Sequence, residues 1–223
     1  MALSHNPRIV TEGLVLALDA ANPKSYPGSG TTWFDMSGNG YHHNLIASPA
    51  YGIIDGAICL DMSVAGSYAI DAGTTPVLGA TGTYMGWARM TPDIDVTTWR
   101  TLWRTLPNDH IILVQNDTNL IGYFDNNTGG SFQSYGLNAG SLGLEDKWVL
   151  YTVVWAGSTS TIYINDLSST GSVAYTPAGN SNDKIGYETQ PFGQVATTLI
   201  YNRALTDAEI KQNFEATRSR FGI

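Results

Sequence analysis

From Val10 to Tyr201 the chain is a succession of short segments, most of them closed by Gly, Pro, Asn, Asp or Ser. This is the feature that most restricts the fold, because segments so short and so regularly interrupted suit strands rather than helices. Val10 to Ala20 reads as the first strand, with Leu14, Leu16 and Leu18 alternating on one face. Asn22 to Gly30 is a loop by its Pro and Gly content, and Ser37-Gly38-Asn39-Gly40 is a tight turn. Candidate strands follow at Ala57–Asp61, Tyr68–Asp71, Tyr84–Met90, Thr101–Leu106, Ile111–Gln115, Leu120–Phe124, Trp148–Trp155, Thr161–Asn165 and Asp183–Gly186. Trp148–Trp155 is apolar on both faces, which predicts a central strand. The spacing predicts a two-sheet antiparallel β-sandwich rather than βαβ units. No repeat, heptad or low-complexity linker marks a domain boundary, so Ile9 to Ile223 reads as one domain behind a polar arm, Met1 to Arg8.

One helix is expected, at the C-terminus. Val195 to Tyr201 is rich in β-branched and aromatic residues and reads as a strand. Thr206 follows as a cap, with Glu209 three residues on, the capping-box spacing. Ile210 and Phe214 recur at i and i+4, and Thr217 and Phe221 extend the same face, so one side of a helix near Thr206–Arg218 docks.

These segments carry a resemblance. The run IYNRALTDAEI resembles the closing strand and helix of concanavalin A-like, laminin-G-like jelly-roll domains. GLVLALDAANPKSY with WFDMSGNG resembles their opening, YMGWARM a central strand, and WVLYTVVWAGSTSTIYIND the Trp-led strand, turn and Tyr-Ile-Asn strand. The resemblance spans roughly Gly13 to Phe214. The pattern departs at Asn165-Asp166-Leu167, where Asn-Gly is usual, and at Leu60-Asp61-Met62. The opening and closing segments together also resemble virion-associated proteins of tailed bacteriophages. That resemblance implies a decoration, appendage or tail component, present in multiple copies and partnered by other virion proteins.

Composition removes several function classes. The net charge is −8 with no basic cluster, which argues against nucleic acid as a partner. No apolar run approaches the ~20 residues of a membrane span, and Met1 to Val10 lacks the pattern of a secretory signal. Synthesis in a host cytoplasm followed by residence in the virion is the expectation. Cys59 is the single cysteine and sits in an apolar run, so it reads as a small buried hydrophobe rather than a reactive thiol. The arm has too little apolar area to order itself. A holder is expected for it, a neighbouring subunit in preference to the chain's own sandwich.

Catalysis finds little support. A retaining glycosidase needs two carboxyl groups about 5–5.5 Å apart. The nearest run, Asp93-Ile94-Asp95-Val96-Thr97-Thr98, begins with Asp, ends in Thr and follows Pro92, so it reads as a solvated loop. Glu145 and Asp146 are adjacent and would point to opposite sides, in an exposed turn before Trp148. His5 lies in the arm, and His42 and His43 read as a half-exposed strand start. With His110 they form no metal-binding spacing, and no Gly-x-Ser-x-Gly elbow exists. No catalytic or cofactor-binding residue is assigned. Calcium is the one ion with candidate ligands: Asp19, Asn22, Asp35 and Asn39, or Asp125, Asn126 and Asn127. The competing role for such loop residues is to accept bonds from local backbone amides. Sugar binding would use aromatics beside amides, a composition met at Tyr123–Asn127 and Tyr187–Phe192.

The expectation is therefore a non-enzymatic virion structural protein. A carbohydrate-binding module contacting host-surface glycans is the alternative, and a glycoside hydrolase is disfavoured.

Overall fold

A computed structural model describes residues 7–74, 76–92, 98–105, 109–126, 130–175 and 184–223. The strands in chain order are β1 (Leu14–Asp19), β2 (Thr32–Trp33), β3 (His43–Ile46), β4 (Ala50–Ile54), β5 (Ala57–Asp61), β6 (Tyr68–Asp71), β7 (Thr81–Met90) and β8 (Arg100–Arg104). They continue as β9 (His110–Val114), β10 (Leu120–Asp125), β11 (Ser131–Asn138), β12 (Trp148–Ala156), β13 (Thr159–Ile164), β14 (Ser169–Val173), β15 (Lys184–Ile185) and β16 (Gly193–Tyr201). Helix α1 (Asp207–Thr217) and a 3-10 turn at Arg218–Phe221 end the chain.

The strands form two antiparallel eight-stranded sheets. Sheet A runs β14-β13-β12-β7-β16-β5-β4, with β1 also paired to β16; sheet B runs β11-β10-β9-β8-β15-β6-β3-β2. This is the all-β two-sheet sandwich with one C-terminal helix that the strand spacing predicts. β12 lies between β7 and β13, so the strand apolar on both faces is central. Its alternation divides its side chains between two cores. Val149, Tyr151, Val153 and Trp155 enter the core between the sheets. Trp148 and Leu150 face α1 on the outer side of sheet A, with Met85, Trp87, Ile210, Phe214 and Phe221.

The capping box forms as its spacing predicts: the Glu209 amide donates to the Thr206 hydroxyl, and the Thr206 amide donates to the Glu209 carboxylate. Arg203 adds two bonds to the same carboxylate, at 2.9 and 2.6 Å. That guanidinium is the main cause of a Glu209 carboxyl held down at about 2. Trp87 packs flat on Phe221 at 4.1 Å and near Phe214 at 5.8 Å, while its indole N–H donates to Thr217 at 2.8 Å.

The structure also differs from the sequence reading. The first strand begins at Leu14 rather than Val10, because Gly13 is left-handed (φ 76°) and Leu14 N–H closes a turn onto Thr11. A register shift between Leu14 and Leu16 then puts Leu14 against the helix-side core, while Leu16 and Leu18 enter the core between the sheets. Strands β2, β3, β4, β11 and β14 have no counterpart in the reading. β4, β11 and β14 carry Gly, Ser or Thr and are largely exposed edge or near-edge strands, so no apolar pattern announces them. Asp183 of the expected Asp183–Gly186 strand, and Leu106 of Thr101–Leu106, lie outside the described residues. Residues 1–6 of the arm do too. The last arm residue, Arg8, has its carbonyl accepting from Gln212; just beyond the arm, the Val10 N–H donates to Asn213 and the Val10 carbonyl accepts from Tyr201. These holders belong to the chain's own helix and sheet.

Candidate functional site

Cross-strand register builds one row of side chains across the outer face of sheet B. Residues paired across neighbouring strands share a face. The pairings Phe132↔Phe124, Phe124↔His110, His110↔Arg104, Arg104↔Lys184 and Lys184↔Ile70 run through β11, β10, β9, β8, β15 and β6. The next row, with Trp103, Ile185, Ala69 and Leu45, points inward to the core. The outer row changes in character along its length. It is aromatic at β11–β10, polar at β9 and cationic at β8–β15.

At the aromatic end lies a cavity of about 260 Å³, lined by Trp99, His110, Leu113, Phe124, Asn126 and Gln190. Trp99 stands edge-on to Phe124 (6.0 Å) and Phe132 (5.5 Å). Phe132 can lie there because Gly122 beneath it has no side chain: a Cβ would sit 2.5 Å from the ring and 2.2 Å from the Gln133 carbonyl. Asn126 is positioned through Asp109, whose carboxylate accepts from the Asn126 N–H at 3.1 Å and from the Tyr175 hydroxyl at 2.6 Å. Burial, then that bond to Asp109, pushes the Tyr175 hydroxyl far above its ordinary range.

A hydrogen-bond chain fixes what the cavity offers a ligand. The Thr101 hydroxyl donates to Gln190 Oε1 at 2.6 Å and lies 2.8 Å from His110 Nδ1. A hydroxyl has one proton, so Nδ1 must be the donor to Thr101. Burial, reinforced by the charge of Arg104, pulls His110 down to about 4. The ring is therefore neutral at pH 7, protonated on Nδ1, with Nε2 left as an acceptor. Gln190 has its carbonyl oxygen bound, which leaves its amide as a donor at the wall. The Gln190 backbone is held as well, its carbonyl accepting from the Thr101 N–H at 3.0 Å. One acceptor and one donor thus flank an aromatic platform.

Beside the cavity, Tyr187 separates it from the cationic end. The Arg104 guanidinium lies 4.2 Å from the Tyr187 ring centre, and His110 meets that ring edge-on at 5.1 Å. Lys184 approaches the rings of Tyr68 (4.8 Å) and Tyr187 (5.3 Å) and donates to Glu188 at 2.8 and 3.2 Å. Glu188 is half-buried. Desolvation raises its pKa, but the Lys184 bond and the nearby positive charges outweigh that and leave it lowered.

The structure thus brings together the two segments singled out for sugar binding, and it sorts their residues. Phe124, Asn126, Tyr187 and Gln190 reach the face. Tyr123 is in the core, stacked on Tyr175 at 4.0 Å, and Phe192 is fully buried. Asn127 lies outside the described residues. Sequence reasoning missed Trp99, Thr101, Arg104, His110 and Lys184. For Thr101, Arg104, His110 and Lys184 the signal is the β8–β9–β15 register, which no local pattern encodes; Trp99 lies just before β8.

The remaining candidates are placed elsewhere. Asp93 and Asp95 lie outside the described residues, as does His5. Glu145 is not in a simply exposed turn. It is half-buried and pairs with the buried Arg100 at 3.0 Å, whose other donors reach the Thr91 carbonyl and Asn119. Asp146 turns the other way, to Arg89 at 2.9 Å. His43 is fully buried rather than half-exposed, because it pairs with Asp71 and Trp33 inside sheet B. His42 accepts from the Asp35 N–H through Nδ1. Cys59 is buried, and burial pushes its thiol up to about 12.

Among the calcium candidates, the Asp35 carboxylate accepts from the N–H groups of Ala17, Ser37 and Tyr41 and from the Ser37 hydroxyl. Asn22 Oδ1 accepts from Lys24 N–H, and the Asn39 amide donates to Val15 and Ser37. Asp19 accepts two bonds from Arg220. These oxygens serve the fold. Among the described residues no group of three or more His, Cys, Asp or Glu side chains is arranged to hold a metal. A second cavity, of about 360 Å³, lies under α1 against Met85, Trp87 and Leu150. Two pairs of its lining groups are tied to each other: Asp19 to Arg220, and Trp87 to Thr217.

No protein-family model matches the chain, and no curated protein matches it. Solved structures do. The chain is similar to the botulinum neurotoxin serotype D binding domain, with 14% identity and a TM-score of 0.67 over 93% of this chain and 53% of that one. The ligand binding domain of the same toxin in complex with N-acetylneuraminic acid gives 14% and 0.66, over 93% and 52%. Trypanosoma rangeli sialidase in complex with sialic acid gives 15% and 0.62, over 97% and 36%. The chain spans about half the length of the toxin chains and about a third of the sialidase. At such identities the common element is the two-sheet β-sandwich fold.

Proposed function

We propose that this chain is a non-enzymatic carbohydrate-binding module whose site is the outer face of sheet B around Trp99. The observation that carries this reading is the cavity between Trp99, Phe124 and Gln190, with the His110 acceptor and the Gln190 donor set beside an aromatic platform. Sugars present apolar C–H faces bounded by hydroxyls that both donate and accept, and such a cavity matches both properties. The neighbours named as binding sialic acid support the reading at the level of fold.

In this proposal the module is carried on a tailed-bacteriophage particle, as a decoration, appendage or tail component, where it contacts host-surface glycans. The opening and closing sequence segments support that setting. The binding test is a glycan array probed with the purified protein and with Trp99→Ala. Array signals lost in Trp99→Ala, with the melting temperature retained, are the expected result; signals absent, or unchanged by the substitution, would overturn the reading. Particle proteomics with copy number tests the setting separately.

A further inference from the structure

Among the described residues, the sheet edges are covered or cut short, with β4 as the exception. The free side of β1 is taken up by the loop after β2: Asp35 accepts from the Ala17 N–H, the Met36 N–H donates to the Ala17 carbonyl, and Ser37 and Asn39 donate to the Val15 carbonyl. β14 and β11 end the two sheets on one side, so close together that a Cβ added to Gly171 would strike the Tyr135 carbonyl. β2 ends sheet B on the other side with only two residues. β4 ends sheet A with five, Ala50-Tyr51-Gly52-Ile53-Ile54, and no Pro, Lys or bulge blunts it.

The hairpin decides which backbone groups of β4 face outward. Asp55 and Gly56 both have positive φ (47° and 82°), the two-residue turn in which Ile54 and Ala57 bond each other. By alternation Ala50 and Gly52 also bond toward β5, and the N–H and C=O groups of Tyr51 and Ile53 point away from it. No loop or side chain among the described residues bonds these four groups. Their side chains are apolar and open, Ile53 at 70% exposure and Tyr51 at 39%. The adjoining charge, Asp55, is paired with Arg89 at 2.7 Å.

We infer that β4 pairs with β4 of a second copy of this chain, antiparallel about a two-fold axis through Gly52. The strand is complementary to itself in that register. Tyr51 of each copy lies opposite Ile53 of the other, so the outward groups close four hydrogen bonds and an aromatic ring meets a β-branched side chain twice. The two Asp55 carboxylates then stand six residues apart, about 20 Å, well beyond the screening length of about 8 Å at physiological salt. A parallel pairing would set them side by side, and a slip of one residue would oppose outward-facing groups with inward-facing ones. The two-fold contact closes on itself, so it makes a dimer and no filament. Five residues a side are far fewer than the roughly 20–30 of a stable interface, so the dimer forms at high concentration or where copies are held close together. The inference stands apart from the glycan reading, because β4 belongs to sheet A and Trp99 lies just before β8 of sheet B.

Two measurements test it. Sedimentation of the whole chain from about 10 μM to about 1 mM should move from monomer toward dimer and no further. Ile53→Lys, at an exposed position that leaves the fold intact, sets two like charges at the contact and should weaken association at least about tenfold. The second measurement is a cross-link. Gly52 lies on the axis, where the two Cα atoms come to about 4.5 Å, within disulfide reach. Gly52 also pairs with Cys59 of its own chain, so Gly52→Cys is made together with Cys59→Ala. Mild oxidation should give a covalent dimer of this variant, and little from Ser172→Cys/Cys59→Ala, whose thiol lies on β14 at the far edge of the same sheet. A chain that stays monomeric at every concentration, association that grows beyond the dimer or ignores Ile53→Lys, or cross-linking no greater at position 52 than at position 172 would overturn the inference.

Discussion

Arg220 grips Asp19 with two parallel hydrogen bonds of 2.9 and 2.8 Å, joining residues 201 positions apart. The pair ties the last turn of the chain to the end of the first strand and occupies both oxygens of Asp19. The geometry is the bidentate fork that suits guanidinium and carboxylate. Both side chains are about one-third exposed, however, at 35% and 30%. Solvent screening therefore limits the pair's worth, and Arg220→Ala should lower stability by less than about 1 kcal/mol. Urea unfolding of the two proteins checks this.

The apolar contacts of α1, just before that turn, should matter far more. Phe214 is buried to 5% exposure against Trp87. Phe214→Ala should cost about 3–5 kcal/mol, by lost burial and the cavity left behind. Thr206→Ala should cost about 1 kcal/mol through the cap. A Phe214→Ala protein that melts with the wild type would mean the helix does not hold the sandwich.

Asn213 makes a sharper case, because its value is in polar pairing. It is 1% exposed, accepts from the Val10 N–H at 2.7 Å and donates to the Tyr201 hydroxyl at 3.0 Å. Removing it leaves a buried backbone donor without a partner. Asn213→Ala should destabilise by about 1–3 kcal/mol and speed amide exchange at Val10 selectively. Unchanged exchange at Val10 would contradict this.

Local patterns carried the helix and the central strands because each depends on neighbours in sequence. Thr206 and Glu209 are three residues apart, and Trp148 to Trp155 is one uninterrupted run. The site does not have that property. His110 meets Lys184 only through the pairings of β9 with β8 and β8 with β15, and register irregularities in β8 place Thr101 and Arg104 on the same outer face. Two of its segments, at Tyr123–Asn127 and Tyr187–Phe192, were legible by composition. Which aromatics in them faced outward was not: Tyr123 and Phe124 differ only in the parity of one strand.

His110 should give the protein a pH response of definite sign. Its folded form holds the proton only near pH 4, against 6.5 for the ordinary imidazole, mainly because of burial. The unfolded chain therefore binds the proton first as pH falls. The stability this group contributes is whole above pH 6.5 and is lost progressively toward pH 4, on the order of 3 kcal/mol in all. Glu209 acts in a lower window, losing its contribution as pH falls from 4.5 toward about 2. His110→Gln should flatten the fall in melting temperature between pH 6.5 and 4.5. An equally steep fall in the variant would assign that window to other groups.

A pair of glycine substitutions separates close approach from ordinary strand freedom. At Gly122 an added Cβ would meet the Gln133 carbonyl at 2.2 Å and the Phe132 ring at 2.5 Å. Neither can yield alone, since the carbonyl is backbone and the ring is braced by Trp99. β11 is the edge of sheet B, so it is the element free to move outward. Gly122→Ala should therefore cost about 1–3 kcal/mol, displace Phe132 and Trp99, and weaken glycan binding together with a shift in tryptophan emission. Gly52, in the edge strand β4 of sheet A, would place an added methyl group in open space, with nothing within 4 Å. Gly52→Ala should be neutral, or stabilise by about 0.4–1 kcal/mol through the unfolded chain. Measuring both by urea unfolding and by glycan titration gives the decisive contrast. Gly122→Ala that keeps full glycan affinity would show that Phe132 does not support the Trp99 platform.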